Sequence, residues 1–89
     1  MTLPFQVTAV FDQNSLPDAL RMPHNTSESV WGVVRVLEGA LRLVILDPMS
    51  ERILGPGRPG LIHPRQHHFV EPLGKMRMQV EYYVAPPTP

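Results

Sequence analysis

Gly57 to Glu71 reads GRPGLIHPRQHHFVE and holds three of the chain's four histidines. Pro59-Gly60 is a turn signal. Leu61-Ile62-His63 is a brief β-type run that Pro64 must end or push to an edge, because proline has no N–H to give to a ladder. His67 to Glu71 then resumes with alternating side chains: His68 and Val70 share one face, while His67, Phe69 and Glu71 share the other. The stretch is turn, short strand, turn, short strand. A histidine on the apolar face of a small β-fold is a candidate metal ligand or acid–base group. The competing assignment is a surface histidine pair beside a turn.

Upstream, Val30 to Leu37 and Ala40 to Leu46 are the longest β-type runs, joined by Glu38-Gly39. Two such runs separated by two residues ending in glycine predict a hairpin. That register sets Val36 opposite Leu41, Arg35 opposite Arg42 and Val33 opposite Val44. One face then carries Val30, Gly32, Val34, Val36, Leu41, Leu43 and Ile45 and should line the core. The other carries Trp31, Val33, Leu37, Val44 and Leu46, with the two arginines directly opposed, an unfavourable pairing unless solvated or shared with an acid. So apolar an outer face calls for a cover, either a second sheet or a second subunit, and the expectation is a homodimer. Arg35 and Arg42 would then reach acids of the other copy, such as Glu38 or Glu51.

Further out, Phe5, Val7 and Ala9 alternate with polar residues as a first strand. Ser15 to Leu20 has a capping-box-like start and allows one helical turn, stopped by Pro23. Asp47 to Ser50 is a turn, Glu51 to Leu54 a short strand, and Lys75 to Val84 the last long strand. Residues 85–89 read as a flexible proline-rich tail. About seven short strands predict an all-β protein, a small antiparallel β-barrel or jelly roll, with residues 1–89 as one domain.

Composition narrows the function classes. A hydrophobic content of 43% and a charged content of 18% describe a folding chain. Its formal net charge is zero, with no basic block, so nucleic acid is not an expected partner. Cysteine is absent, which removes disulfides and thiolate metal sites. No apolar run approaches membrane-span length and no signal pattern opens the chain, so no membrane partner is expected and a cytoplasmic location is.

Two pieces resemble the cupin superfamily. Val36-Leu37-Glu38-Gly39-Ala40-Leu41 looks like the hairpin turn that closes the first cupin motif. Ile62 to Glu71 looks like the second motif, with His68 in the place of the metal-ligand histidine. More narrowly, HNTSESVWGVVRVLEG followed by PGRPGLIHPRQHHFVEPLG is similar to the TehB/YeaR-like domains, small cupins linked by name to tellurite resistance. The shared features are His24 and Thr26, Trp31-Gly32, and His68, Val70 and Glu71. The departures lie in the ligand set: Asn25 and Ser27 stand at the first motif's histidine positions and Gly32 at its glutamate. In the second motif, Arg65 stands at a glycine position and Pro72 at the final asparagine.

The resemblance leaves His24, one residue away from a ligand position, and His68. Two imidazoles want a third protein ligand, and the candidates are Glu28, Glu71 and Glu81. Glu71 has the opposite parity to His68. Glu81 lies outside if Met76, Met78, Val80 and Tyr82 form the core, and near His68 only if the polar set faces inward. Two histidines and a carboxylate would suit Zn²⁺, Fe²⁺, Mn²⁺ or Ni²⁺. The expected function is a small cupin-type binding domain for a small polar or anionic ligand, with or without a divalent metal. The alternative is a metal-dependent enzyme, an oxygenase or a hydrolase/isomerase, using His24 and His68. No catalytic residue is assigned.

Overall fold

Eight strands and one helical turn follow one another along residues 3–87, the part that the computed structural model describes. In chain order they are β1 (Gln6–Val7), β2 (Phe11–Asp12), α1 (Asp18–Arg21), β3 (Trp31–Glu38), β4 (Leu41–Leu46), β5 (Met49–Leu54), β6 (Gly60–Ile62), β7 (His68–Pro72) and β8 (Arg77–Tyr83). They form two antiparallel sheets. The larger runs β1-β8-β3-β6, with β2 also on β8; the smaller runs β5-β4-β7. The all-β expectation holds, but the described residues form two separate sheets rather than a closed barrel. No described helix is long and apolar enough to cross a membrane.

The expected Glu38-Gly39 hairpin does not form. β3 pairs with β8 and β6, whereas β4 pairs with β5 and β7, so the chain changes sheets at this corner. Gly39 has φ +76°, and a Cβ there would collide with the Lys75 carbonyl and lie 2.9 Å from Met76 Cα. Only glycine combines that backbone with so close an approach. The corner lays the apolar faces of β3 and β4 across a common core instead of side by side. Val34 and Val36 therefore meet Leu41 and Leu43 in one cluster with Leu54, Ile62, Val70, Met76, Met78 and Val80. The predicted core face is right, and its pairing is wrong.

That change of sheet also disposes of the opposed arginines. Arg35 lies beside Gln79 on β8 and bonds Glu81 of the same chain. Arg42 lies between Ile53 and Glu71 and reaches both Glu51 and Glu71 of the same chain. Val33 and Val44 are both buried within the chain, on different sheets. The single apolar outer patch expected from the hairpin is thus divided.

Smaller differences have local causes. The first strand breaks into β1 and β2 because Thr8 Oγ1 accepts the Val80 N–H, at 2.9 Å, in place of a ladder carbonyl. Asp12 Oδ1 accepts from the N–H groups of Asn14 and Ser15, while Ser15 Oγ accepts from the Asp12 N–H. Ser15 is therefore used in this turn, and the helical turn starts later, at Asp18. Pro87, in the expected tail, is half-buried and lines a groove with Val33 and Leu61. The last two residues of that tail lie outside the described part.

Candidate functional site

His68 opens β7 on its core face, two residues before the buried Val70. Opposite it runs the segment between α1 and β3. There His24 makes an isolated antiparallel bridge: its N–H donates to the His68 carbonyl at 3.0 Å, and the His68 N–H returns a bond of 2.8 Å. The bridge places the two imidazoles side by side, ring centroids 4.1 Å apart and planes tilted by 57°. Both rings line a cavity of about 270 Å³ between the sheets. Val34, Ile62, Val70, Met78 and Val80 make its apolar floor, and Asn25, Thr26 and Ser27 make a polar side.

Each imidazole is held through the same nitrogen. His24 Nδ1 lies 2.9 Å from the Met22 carbonyl, and His68 Nδ1 lies 2.8 Å from the Gln66 carbonyl. A carbonyl only accepts, so each Nδ1 carries the hydrogen and each neutral ring presents its Nε2 lone pair. Neither Nε2 bonds to another described residue, and among the described residues no buried polar side-chain atom lacks a partner. The Nε2 of His68 is therefore open to the cavity. Burial is the main cause holding the His68 pKa below its ordinary value; the Gln66 carbonyl opposes it, and the neighbouring His24 and His67 reinforce it. Tyr82, also on the cavity wall, is pushed up by burial and stays a phenol.

The three glutamates proposed as partners do not line this cavity. Glu28 is exposed and pairs with Arg65 at 3.0 Å. Glu71 points to the outer side of the smaller sheet, where Arg42 holds it at 3.3 Å. Glu81 points to the outer side of the larger sheet and accepts from Arg35 Nε at 3.1 Å and from the Tyr83 hydroxyl at 2.8 Å. For Glu71 and Glu81 strand parity leads away from the core, whereas Glu28 lies in a turn before β3 begins, so the inward parity it would share with Val30 and Gly32 does not apply. The described residues contain no cluster of three or more histidine, aspartate or glutamate side chains arranged to hold a metal. His63 packs against Trp31, centroids 4.8 Å apart and rings tilted by 52°, and His67 is exposed. Thr26 was marked in the sequence by the resembled motif and Ser27 only as part of a turn; the further signal was a polar run just before an apolar strand.

Gly32 and Arg65 give the departures from the resembled motifs a physical form. Gly32 lines the cavity, and a Cβ there would sit 3.4 Å from Ile62 Cβ and 3.9 Å from Val80 Cγ1, an ordinary contact. The wall where a carboxylate was expected is bare. Arg65 adopts φ +62°, the left-handed backbone that a glycine would take without strain.

Comparison with known proteins gives a consistent family. A family model described as a TehB-like domain matches residues 6–80. No curated protein matches the sequence. Among solved structures, TehB from Haemophilus influenzae superposes with a TM-score of 0.82 at 24% identity, over 91% of this chain and 30% of that one. A protein from Escherichia coli K12 superposes at 0.85 with 14% identity, over 97% and 93% of the two chains. FeII HppE superposes at 0.62 with 18% identity, over 83% and 40%. At these identities the likeness is one of fold. The chain spans less than a third of the TehB structure it matches.

Proposed function

The chain belongs to the TehB-like domain family, and from that premise we propose that it is a cupin-type binding domain for a small polar ligand. The ligand would sit between the sheets and be held by Nε2 of His24 and His68. The observation that carries this is the pair of Nδ1–H···O=C bonds, which leave Nε2 free on two rings that line one cavity. Neutral imidazoles accept hydrogen bonds, so the preferred ligand brings a hydroxyl or a protonated oxyacid group. An anion would bind to the singly protonated pair, with the proton on one Nε2 donated to the anion. Two protons would set like charges about 4 Å apart, which the half-buried site disfavours.

A divalent metal is the second reading, favoured by the same free lone pairs and carbonyl-anchored rings. The donor set fits it only in part: two nitrogens, with no carboxylate on the cavity wall. Zn²⁺, Fe²⁺, Mn²⁺ or Ni²⁺ would draw its remaining donors from water or ligand, so an enzymatic use of the site rests on what the ligand supplies.

Histidine Nε2 chemical shifts in tag-free protein test both readings, using tellurite and acetate as oxyacid probes, glycerol as a neutral polyol and Zn²⁺ as the metal. Movement of both Nε2 signals, lost in His24→Asn and His68→Asn, is expected. Binding that leaves both signals in place would reject the site. A second copy of the chain remains the proposed partner, now through the free edge of β5, where Met49 and Ile53 are exposed. Sedimentation showing only a 10.0 kDa species would reject it.

A further inference from the structure

The outer side of the larger sheet carries a second concavity, of about 360 Å³, that shares no lining residue with the histidine cavity. Val33, Leu61, Pro59 and Pro87 give it apolar walls, and Arg35, Arg52 and Arg58 all border it. No acidic residue lines it. Three arginines meeting at one groove is notable in a chain whose formal net charge is zero.

The pairing of the cations sharpens the point. Arg35, Arg42, Arg65 and Arg77 each have a carboxylate within ion-pair reach, and Arg21 donates to two backbone carbonyls. Among the described residues that leaves the side chains of Arg52, Arg58 and Lys75 without an ion-pair or hydrogen-bond partner, and two of these three border the same groove. Arg52 is exposed although it stands opposite the buried Leu43, because β5 is an edge strand and its side chain can pass the end of the core. Arg35 already has Glu81 on its Nε, so the uncompensated charge comes from Arg52 and Arg58.

We propose that this groove is a binding site for a small organic oxyanion, a carboxylate or phosphate ester carried on an apolar body. The guanidinium groups match the paired oxygens of such a head group, and the valine, leucine and proline walls take the body. Like charges gathered without acids cost the free protein stability, and a bound oxyanion would relieve that cost.

Amide chemical-shift titration of the whole chain tests this, with phenyl phosphate and benzoate as probes and inorganic phosphate as the head group alone. Shifts are expected at Val33, Gly57 and Leu61. Arg52→Gln and Arg58→Gln should each weaken binding by about tenfold or more, as expected for loss of a charge-assisted bond. Inorganic phosphate should bind more weakly than phenyl phosphate because it leaves the apolar walls bare. Whichever aryl probe binds more tightly identifies the head group. Both variants replace exposed side chains, and unchanged circular dichroism would confirm that they fold. Absence of millimolar binding by either aryl probe, equal affinity in both glutamine variants, or shifts confined to Thr26 and Val70 would overturn the assignment.

Discussion

His24 and His68, far apart in sequence, exchange backbone hydrogen bonds of 3.0 and 2.8 Å and bring their rings to 4.1 Å. One short bridge thus makes the two side chains a single chemical unit. Any ligand, proton or metal that meets one imidazole is within reach of the other.

The first consequence is a pH dependence of stability. Burial lowers the His68 pKa in the folded chain. The unfolded chain takes up that proton near the ordinary imidazole value of about 6.5, so just below it the unfolded state binds more protons. Stability should be full above about pH 6.5 and fall as the pH drops through the window beneath it. Urea midpoints measured across that range should show the slope in the wild type. His68→Asn, which keeps a donor for the Gln66 carbonyl and does not titrate there, should flatten it. Equal slopes in the two proteins would assign the effect to other groups.

Gly39 and Gly57 separate backbone strain from collision. Both have positive φ, +76° and +80°, but a Cβ at Gly57 meets nothing within 4 Å, while at Gly39 it strikes the Lys75 carbonyl. Gly57→Ala should cost only about 1–2 kcal/mol, the left-handed term alone. Gly39→Ala should cost clearly more and could prevent folding at the corner. Similar denaturation midpoints for the two variants would contradict the sheet-changing corner.

Glu81 and Glu71 are expected to act in stability and not in the cavity. Glu81 is 17% exposed and bonded to Arg35 and Tyr83, so Glu81→Ala should cost about 1–3 kcal/mol. Glu71, at 52% exposed, should cost less than about 1 kcal/mol on the same change. Zn²⁺ titration followed at the histidine Nε2 signals should be the same for both variants and the wild type. A weakened Zn²⁺ response in Glu81→Ala would return that residue to the ligand set.

Gly32→Glu tests the bare wall directly. The new carboxylate would enter the cavity beside His24 and His68 and complete a set of two nitrogens and an oxygen. Without metal the variant should be less stable than the wild type, because a carboxylate is then held among apolar residues. Zn²⁺ should restore the loss and bind at least about tenfold more tightly than to the wild type. Destabilisation that Zn²⁺ leaves uncorrected would show that Gly32 does not look toward the two imidazoles.

Side-chain parity was legible in the sequence along β3, β4, β7 and β8. Val34, Val36, Leu41 and Leu43 lie in the core, as alternation predicted, and His68 shares the buried face of Val70. Parity also pointed Glu71 away from His68, and placed Glu81 outside once Met76, Met78 and Val80 took the core. The structure agrees on both counts. The direction of a side chain follows from the local backbone, so it needs no knowledge of which strand lies alongside.

Partnership was a different matter. Glu38-Gly39 satisfies the hairpin rule, yet the chain uses it to change sheets, and the two arginines that seemed opposed end beside separate acids. His24 could be placed near a ligand position but not beside His68, and nothing local joined Arg52 and Arg58 across β5 and its following loop. Pairing is chosen by the burial and hydrogen bonding of segments distant in the chain, summed over both sheets, and a stretch of sequence carries only its own share of that sum.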